Sequence, residues 1–147
     1  MTALVVIRRA RESDREDLAL LSTQLGYPMT PDEARERLAP IAEHPDHALL
    51  VAEADGRVAG WVQVSQSRVF ETPLQAEVAG LVVDEAFRGE GIGRRLLTEA
   101  ERWARERGCG ILRVRSNVIR ERAHAFYRRE GFVEIKTQRV LEKRLEP

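Results

Sequence analysis

"LVVDEAFRGEGIGRRLLTEA", Leu81 to Ala100, places Gly89, Gly91 and Gly93 at alternate positions between an apolar run and a helix-like one. Amides in the first turn of a helix have no partner within it, and the helix dipole favours negative charge beside them. Glycine lets backbone approach a ligand closely and adopts positive φ where a loop needs it. "RGEGIG", Arg88 to Gly93, therefore reads as a cradle for phosphate oxygens; a tight turn into a helix with no ligand is the alternative. Arg88 could add charge or simply face solvent. A P-loop would require a lysine after its glycines, and none follows. A dinucleotide fingerprint fails as well, because "GEGIGR" and "GIGRRL" both miss G-x-G-x-x-G and the loop is not in the first β-α unit.

Outward from this loop, the rest of the chain reads as alternating strands and helices. "ALVVIRRA" is a first strand, and "SDRE", Ser13 to Glu16, has the form of a capping box ahead of Leu18, Leu21 and Leu25 at helical spacing. Gly26 and the "GYP" turn end that helix. "TPDE", Thr30 to Glu33, is a second capping box with proline at the first helical position. "HALLVAEA" and "RVAGWVQV" form a hairpin through Asp55-Gly56, and "QAEVAGLVV" is a further strand. Ile92, Leu96, Leu97, Ala100, Trp103 and Ala104 mark a long helix stopping near Gly108. "ILRVRS" is a strand, "RERAHAFYRRE" a helix ended by Gly131, and "FVEIK" and "RVLEKRL" read as closing strands. The strand, helix and strand of residues 76 to 116 make one parallel crossover in an otherwise antiparallel sheet.

With 147 residues the expected organisation is a single domain spanning 1-147. Lys+Arg and Asp+Glu both number 24, so the basic excess of a nucleic-acid binder is missing, and no nucleic-acid partner is expected. The lone Cys109 permits neither an intramolecular disulfide nor a cysteine metal cluster. His44 and His47, in "HPDH", have ligand-like spacing but no second cluster, so they read as a solvated loop and no metal is expected. No apolar run approaches a membrane span or a signal-peptide core, which makes a cytoplasmic protein without a membrane partner the expectation.

"RGEGIG" fits the [QR]-x-x-G-x-[GA] motif of the GNAT (GCN5-related) N-acetyltransferases, and the chain resembles that family nearly end to end. The resemblance rests also on the strand "AGLVVDEAF", the amphipathic helix behind the loop, "AHAFYRREGF" some thirty residues later and the opening "IRRARESD". It implies an α/β (α+β) fold: a mixed, mostly antiparallel twisted sheet with one parallel strand pair splayed apart, flanked by about four helices. It implies acetyl-CoA as donor, its pyrophosphate held by Arg88, Gly89, Glu90, Gly91, Ile92, Gly93 and Arg94, and its pantetheine arm lying along Leu81, Val82 and Val83. A strand bulge and an oxyanion-binding N–H belong to the same stretch, and Gly80 suits such a distortion.

The implied reaction is transfer to a primary amine by direct attack in a ternary complex. A lysine-like amine has a pKa near ~10.4 and must lose a proton. Glu77 stands eleven positions before Arg88, where some members carry a general-base glutamate. Period-two alternation places it with Ala79, Leu81 and Val83 on one strand face. The alternative is a solvated glutamate paired with an arginine. Tyr127 stands where the family often has a tyrosine that protonates the departing thiolate, a role suited to a phenol of ordinary pKa about 10; the alternative is a core aromatic. Relatives commonly have an asparagine three residues before the position of Ala123. Here that residue is Arg120, and Asn117 is retained as a coenzyme contact at the end of "ILRVRS".

The acceptor, a small-molecule amine or a protein or peptide amine, is not specified by these residues; the resemblance implies that the two N-terminal helices, the turn "LGYPMT" and the closing strands choose it, with Tyr27 and Pro28 either lining that pocket or only making the interhelix turn. Homodimers are common among similar proteins. Two other functions fit the same motifs: a non-catalytic acyl-CoA sensor, and a transferase of a larger acyl group.

Overall fold

The computed structural model describes residues 4–116 and 119–147, and the chain divides into two units, Met1–Arg115 and Ser116–Pro147. In the first, β1 (Val5–Arg9), α1 (Arg15–Leu25), α2 (Pro31–Glu43), β2 (His47–Ala54), β3 (Arg57–Ser67), β4 (Gln75–Val83), α3 (Ile92–Glu106) and β5 (Leu112–Val114) follow one another. The strands form one sheet in the order β1-β2-β3-β4-β5, antiparallel except for the parallel β4–β5 pair. This is the mixed sheet the sequence leads one to expect. No described helix is long and apolar enough to cross a membrane.

Local signals set most element ends. Thr30 Oγ1 accepts from the Glu33 N–H (3.1 Å) while Glu33 Oε1 accepts from the Thr30 N–H (3.0 Å), so the second capping box forms with Pro31 behind it. Asp55 and Gly56 both take positive φ, 52° and 74°, as a two-residue primed turn requires.

The sheet carries helices on both faces. Leu18 and Leu21 of α1 and Ala34 and Leu38 of α2 pack with Val51, Val82, Leu49 and Trp61 on one face. Val62 and Val64, fully buried, point to the other. Gly60 shares that second face, and a Cβ there would lie 3.2 Å from Leu96 of α3 and 2.8 Å from the Val82 carbonyl oxygen. Ile92, Leu96, Leu97, Ala100, Trp103 and Ala104 are all buried, as their spacing anticipates, and burying each larger one is worth about 1.5–3 kcal/mol.

The first capping box differs from expectation. Ser13 lies inside a 3₁₀ turn, Glu12–Asp14, and caps nothing; Asp14 controls the entry to α1 instead. Its carboxylate accepts two bonds from Arg8 (both 2.8 Å) and one from the Arg11 N–H (2.9 Å), and Arg8 also reaches Glu53 at 3.1 Å. A partner on the preceding strand, outside the four-residue motif, thus overrides it. Burial pushes the Asp14 carboxyl up, but the bonds from Arg8 and the Arg11 amide outweigh it and hold the group below the usual carboxylate range.

The second unit contains α4 (Glu121–Arg129), closed by Gly131 at φ 94° and by the Phe132 N–H donating to the Tyr127 carbonyl oxygen (3.0 Å). The two closing strands expected over "FVEIK" and "RVLEKRL" are not formed: residues 132–147 carry neither strand nor helix. Val133, Ile135, Val140, Leu141 and Leu145 are exposed, so the apolar alternation has no buried face to fix a register.

Removing the Asp14 carboxylate leaves Arg8 mostly buried without its main partner. Asp14→Ala should lower stability by about 3 kcal/mol, read as a fall in urea midpoint at unchanged slope. Because the folded pKa lies below the unfolded one, the contribution is complete at neutral pH and disappears as pH falls through the folded value. Wild type should therefore lose more stability than Asp14→Asn across the acid limb.

Candidate functional site

Beyond Val78, β4 loses one of its two neighbours. The parallel pairing with β5 covers only Ala76↔Leu112, Glu77↔Arg113 and Val78↔Val114, while β4 continues beside β3 to Val83. At the same point β4 carries a bulge: Glu77 opposes Ser65 and Gly80 opposes Gln63, so three steps on β4 match two on β3 and Ala79 is the surplus residue. This corrects the face assignment made from period-two alternation. Glu77 shares its face with Gly80, Val82 and Trp61, the face covered elsewhere by α1 and α2, whereas Leu81 and Val83 point to the α3 face. Counting by twos fails here because the bulge inserts one residue.

Hydrogen-bond direction alternates along an antiparallel strand, and one observation fixes its phase. The Asp84 N–H donates to the Ala59 carbonyl oxygen at 2.7 Å, so Asp84 and Val82 direct their main-chain groups toward β3. Leu81 and Val83 therefore direct theirs the other way, into the side that β5 has left. Gly80 makes room in the bend: a Cβ there would stand 2.9 Å from Trp61 Cζ3.

The glycine loop follows directly. Gly89 and Gly91 have φ of 84° and 77°, and a Cβ on either would meet nothing within 4 Å. Gly91 is the N-cap of α3 and the first bond within the helix runs from Arg95 N–H to Gly91 O (3.1 Å), so the Ile92, Gly93 and Arg94 amides precede it. No acidic side chain lies in this first turn. Arg88 is exposed, 3.9 Å from Glu85, and Glu90 and Arg94 are exposed as well. A helix start without a side-chain cap, open space over two glycines and an arginine at the rim suit a diphosphate.

The loop is anchored by a residue whose role the motif does not reveal. Asp84 is buried, accepts from the Ala86 N–H (3.0 Å) and pairs with Arg57 (3.0 Å), whose guanidinium also lies over the Phe87 ring. An acid between strand end and glycine loop was visible in the sequence, but its partner 27 positions earlier was not.

Glu77 is partly exposed and accepts from Arg115 Nε, so the arginine pairing foreseen for it is present. Arg115 follows the last β4–β5 pair and reaches back to the point where the strands part. Glu77, Leu81, Val82, Val83 and Arg88 to Arg94 thus belong to one unit, along β4 and the turn after it. Asn117 lies outside the described residues. Tyr127 belongs to the second unit, where its half-buried ring meets Phe126 and Phe132 edge-on at 5.2 and 5.5 Å between centroids. Burial pushes its phenol up from the ordinary value, against a smaller pull down from Arg120. Tyr27 is exposed, and its carbonyl accepts from Ser22 Oγ at 3.0 Å.

A family model described as "Acetyltransferase (GNAT) family" matches residues 14–132. Aminoglycoside N(6')-acetyltransferase type 1 of Stenotrophomonas maltophilia is 31% identical over 139 residues, 92% of this chain and 89% of that protein. N-alpha-acetyltransferase RimI of Mycobacterium tuberculosis is 33% identical over 142 residues, 94% and 84% of the two chains. Aminoalkylphosphonate N-acetyltransferase of Salmonella typhimurium is 30% identical over 128 residues, 86% and 83%. The solved aminoglycoside N-acetyltransferase AAC(6')-Iy in complex with CoA superposes with a TM-score of 0.87 at 21% identity, covering 99% of this chain and 98% of the other, and shares its fold.

Trp61 against Gly80 gives a local test of the bend. Gly80→Ala should lower stability by about 1–3 kcal/mol through overpacking and alter the tryptophan emission spectrum. An unchanged urea midpoint with an unchanged spectrum would show that the ring is not held against this glycine.

Proposed function

The chain belongs to the GNAT acetyltransferase family and is an N-acetyltransferase, and from that premise we propose that it moves an acetyl group from acetyl-CoA to a primary amine by direct attack in a ternary complex. The observation that carries this reading is the start of α3, without a side-chain cap, set at the end of a strand whose pairing with β5 stops at Val78 among the described residues. The three relatives described above are all named for transfer to nitrogen.

The Ile92, Gly93 and Arg94 amides, with charge from Arg88, hold the diphosphate of acetyl-CoA, and the open space over Gly89 and Gly91 leaves room for it. The Leu81 and Val83 amides give donors to the pantetheine arm and to the thioester carbonyl oxygen, which gains negative charge as the amine attacks. Acetyl-CoA supplies the acetyl group as an activated thioester; Asn117 is a further contact for it.

Two side chains move protons. Glu77 accepts the proton that the ammonium must lose, directly or through water, with Arg115 orienting its carboxylate. Tyr127 gives its phenolic proton to the departing sulfur. A phenol pushed up by burial is fully protonated near neutral pH, as a proton donor must be. Nitrogen loses two protons between ammonium and amide, one through Glu77 before attack and one from the tetrahedral adduct; sulfur takes one from Tyr127, whose phenolate is reprotonated, so the transfer releases one net proton to solvent.

Gly91→Glu places a negative side chain at the start of α3 and should abolish binding of acetyl-CoA in calorimetry, with the fold intact by circular dichroism. Wild-type affinity in that variant would count against the cradle. Tyr127→Phe should lower kcat about a hundredfold or more while coenzyme affinity stays within a factor of two. Equal kcat for variant and wild type would remove Tyr127 from the reaction. Release of coenzyme A thiol with a panel of amines tests the transfer itself, and its absence with every amine would favour a binding module.

A further inference from the structure

Four strands contribute one residue each to a polar row across the sheet. His47 of β2 opposes Ser65 of β3, Ser65 opposes Glu77 of β4, and Glu77 opposes Arg113 of β5. Directly paired residues project from the same face, so these four side chains stand side by side, neighbouring strands being about 4.8 Å apart. All four are half-buried, where a core face would carry apolar side chains. Gln63, paired with Gly80, extends the polar surface toward the bulge.

The row has a charge pattern and unmet hydrogen-bonding capacity. It contains one carboxylate, Glu77, with Arg113 directly beside it and Arg115 donating to it. Arg113 Nε and His47 Nδ1 are buried atoms with no hydrogen-bond partner among the described residues. A buried guanidinium N–H without an acceptor is costly, and a ligand that supplies one regains that free energy. Nε together with a neighbouring Nη is the edge with which arginine grips a carboxylate or phosphonate through two parallel bonds. A polycationic acceptor would meet two positive groups for each negative one here.

We infer that the acceptor is a small zwitterion, a primary amine carrying a carboxylate or phosphonate two or three bonds from the nitrogen, whose anionic end is held by Arg113 beside Glu77. This rests on the proposed acetyl transfer and names its substrate class. Glu77 faces the ammonium and Arg113 the acid, and their adjacent register positions match the short span of such a molecule. Arg113 is the specificity determinant; it takes no proton and touches no coenzyme.

The test compares 2-aminoethylphosphonate with ethylamine, and β-alanine with propylamine, in the thiol-release assay. For wild type, kcat/KM should favour the acid-bearing member of at least one pair by about tenfold or more, the worth of one charged hydrogen bond; which pair shows it distinguishes phosphonate from carboxylate. Arg113→Met should raise KM for that substrate by a similar factor, leave ethylamine and propylamine within twofold, and keep wild-type acetyl-CoA affinity by calorimetry. Arg113→Lys, which keeps charge without the fork, should fall between the two, and it serves as the reporter if the methionine variant does not fold. Equal efficiency within both pairs, or a loss in the variants that is the same with and without the acid group, would overturn the inference while leaving acetyl transfer standing. No transfer to any amine would defeat the transfer reading, and this inference with it.

Discussion

A strand in a sheet interior has main-chain groups pointing both ways, and each needs a partner. β4 satisfies the groups directed toward β3 along its whole length, but those on its other side only from Ala76 to Val78. Everything that makes this region a site follows from that imbalance. The Leu81 and Val83 amides are donors in a fixed direction, and the parallel pairing given for β4 stops before them at Val78. A ligand with an amide-bearing arm can take the vacated place and recover hydrogen bonds that the sheet forgoes. Ala79 contributes in a second way, since the surplus residue turns Glu77 toward one face and the next apolar pair toward the other. In the proposed reading, proton chemistry and donor recognition are thereby separated along a single strand.

Such an arrangement is useful only if the start of α3 keeps its place relative to the end of β4. The eight residues Asp84 to Gly91 bridge the two, and Asp84 fixes the first of them. Its amide is bound to Ala59, and its carboxylate holds the Ala86 amide and the Arg57 guanidinium. A carboxylate beside an anion-binding turn would by itself repel phosphate. Arg57 offsets that charge and, resting on Phe87, packs the turn as well. Asp14 plays a comparable part at the entry to α1 through Arg8. In both places a buried acid sets the path of the chain because an arginine from a strand satisfies it, from the preceding strand for Asp14 and from 27 positions earlier for Asp84.

This also explains which features were legible in the sequence. Thr30, Pro31 and Glu33, the Asp55-Gly56 turn and the apolar stripe of α3 depend on neighbours within a few residues, and each stands as read; the glycines likewise form a turn into α3. Ser13 failed as a cap because Arg8 captured Asp14, a competition that no local pattern displays. The face of Glu77 failed because alternation assumes an unbroken ladder. The Arg115 partner of Glu77 and the Arg57 partner of Asp84 come from other strands and have no signature of their own. "FVEIK" and "RVLEKRL" alternate as strands do, but alternation specifies a strand only where one face is buried, and their apolar side chains are exposed.

A division of labour follows. In the proposed reading the donor is gripped largely by main-chain amides, at Leu81, Val83 and Ile92 to Arg94, and amides offer the same bonds whatever side chains surround them. Glycine matters there for φ and space, not for chemistry of its own. The opposite holds for the row from His47 to Arg113, where the backbone is committed to the sheet and only side chains can discriminate. Those side chains are half-buried rather than core, so exchanging one alters charge and hydrogen bonding at small cost in packing. On that reading the same backbone keeps its grip on one donor while substitutions along this row change the acceptor, and the role inferred for Arg113 belongs with this second, adjustable set.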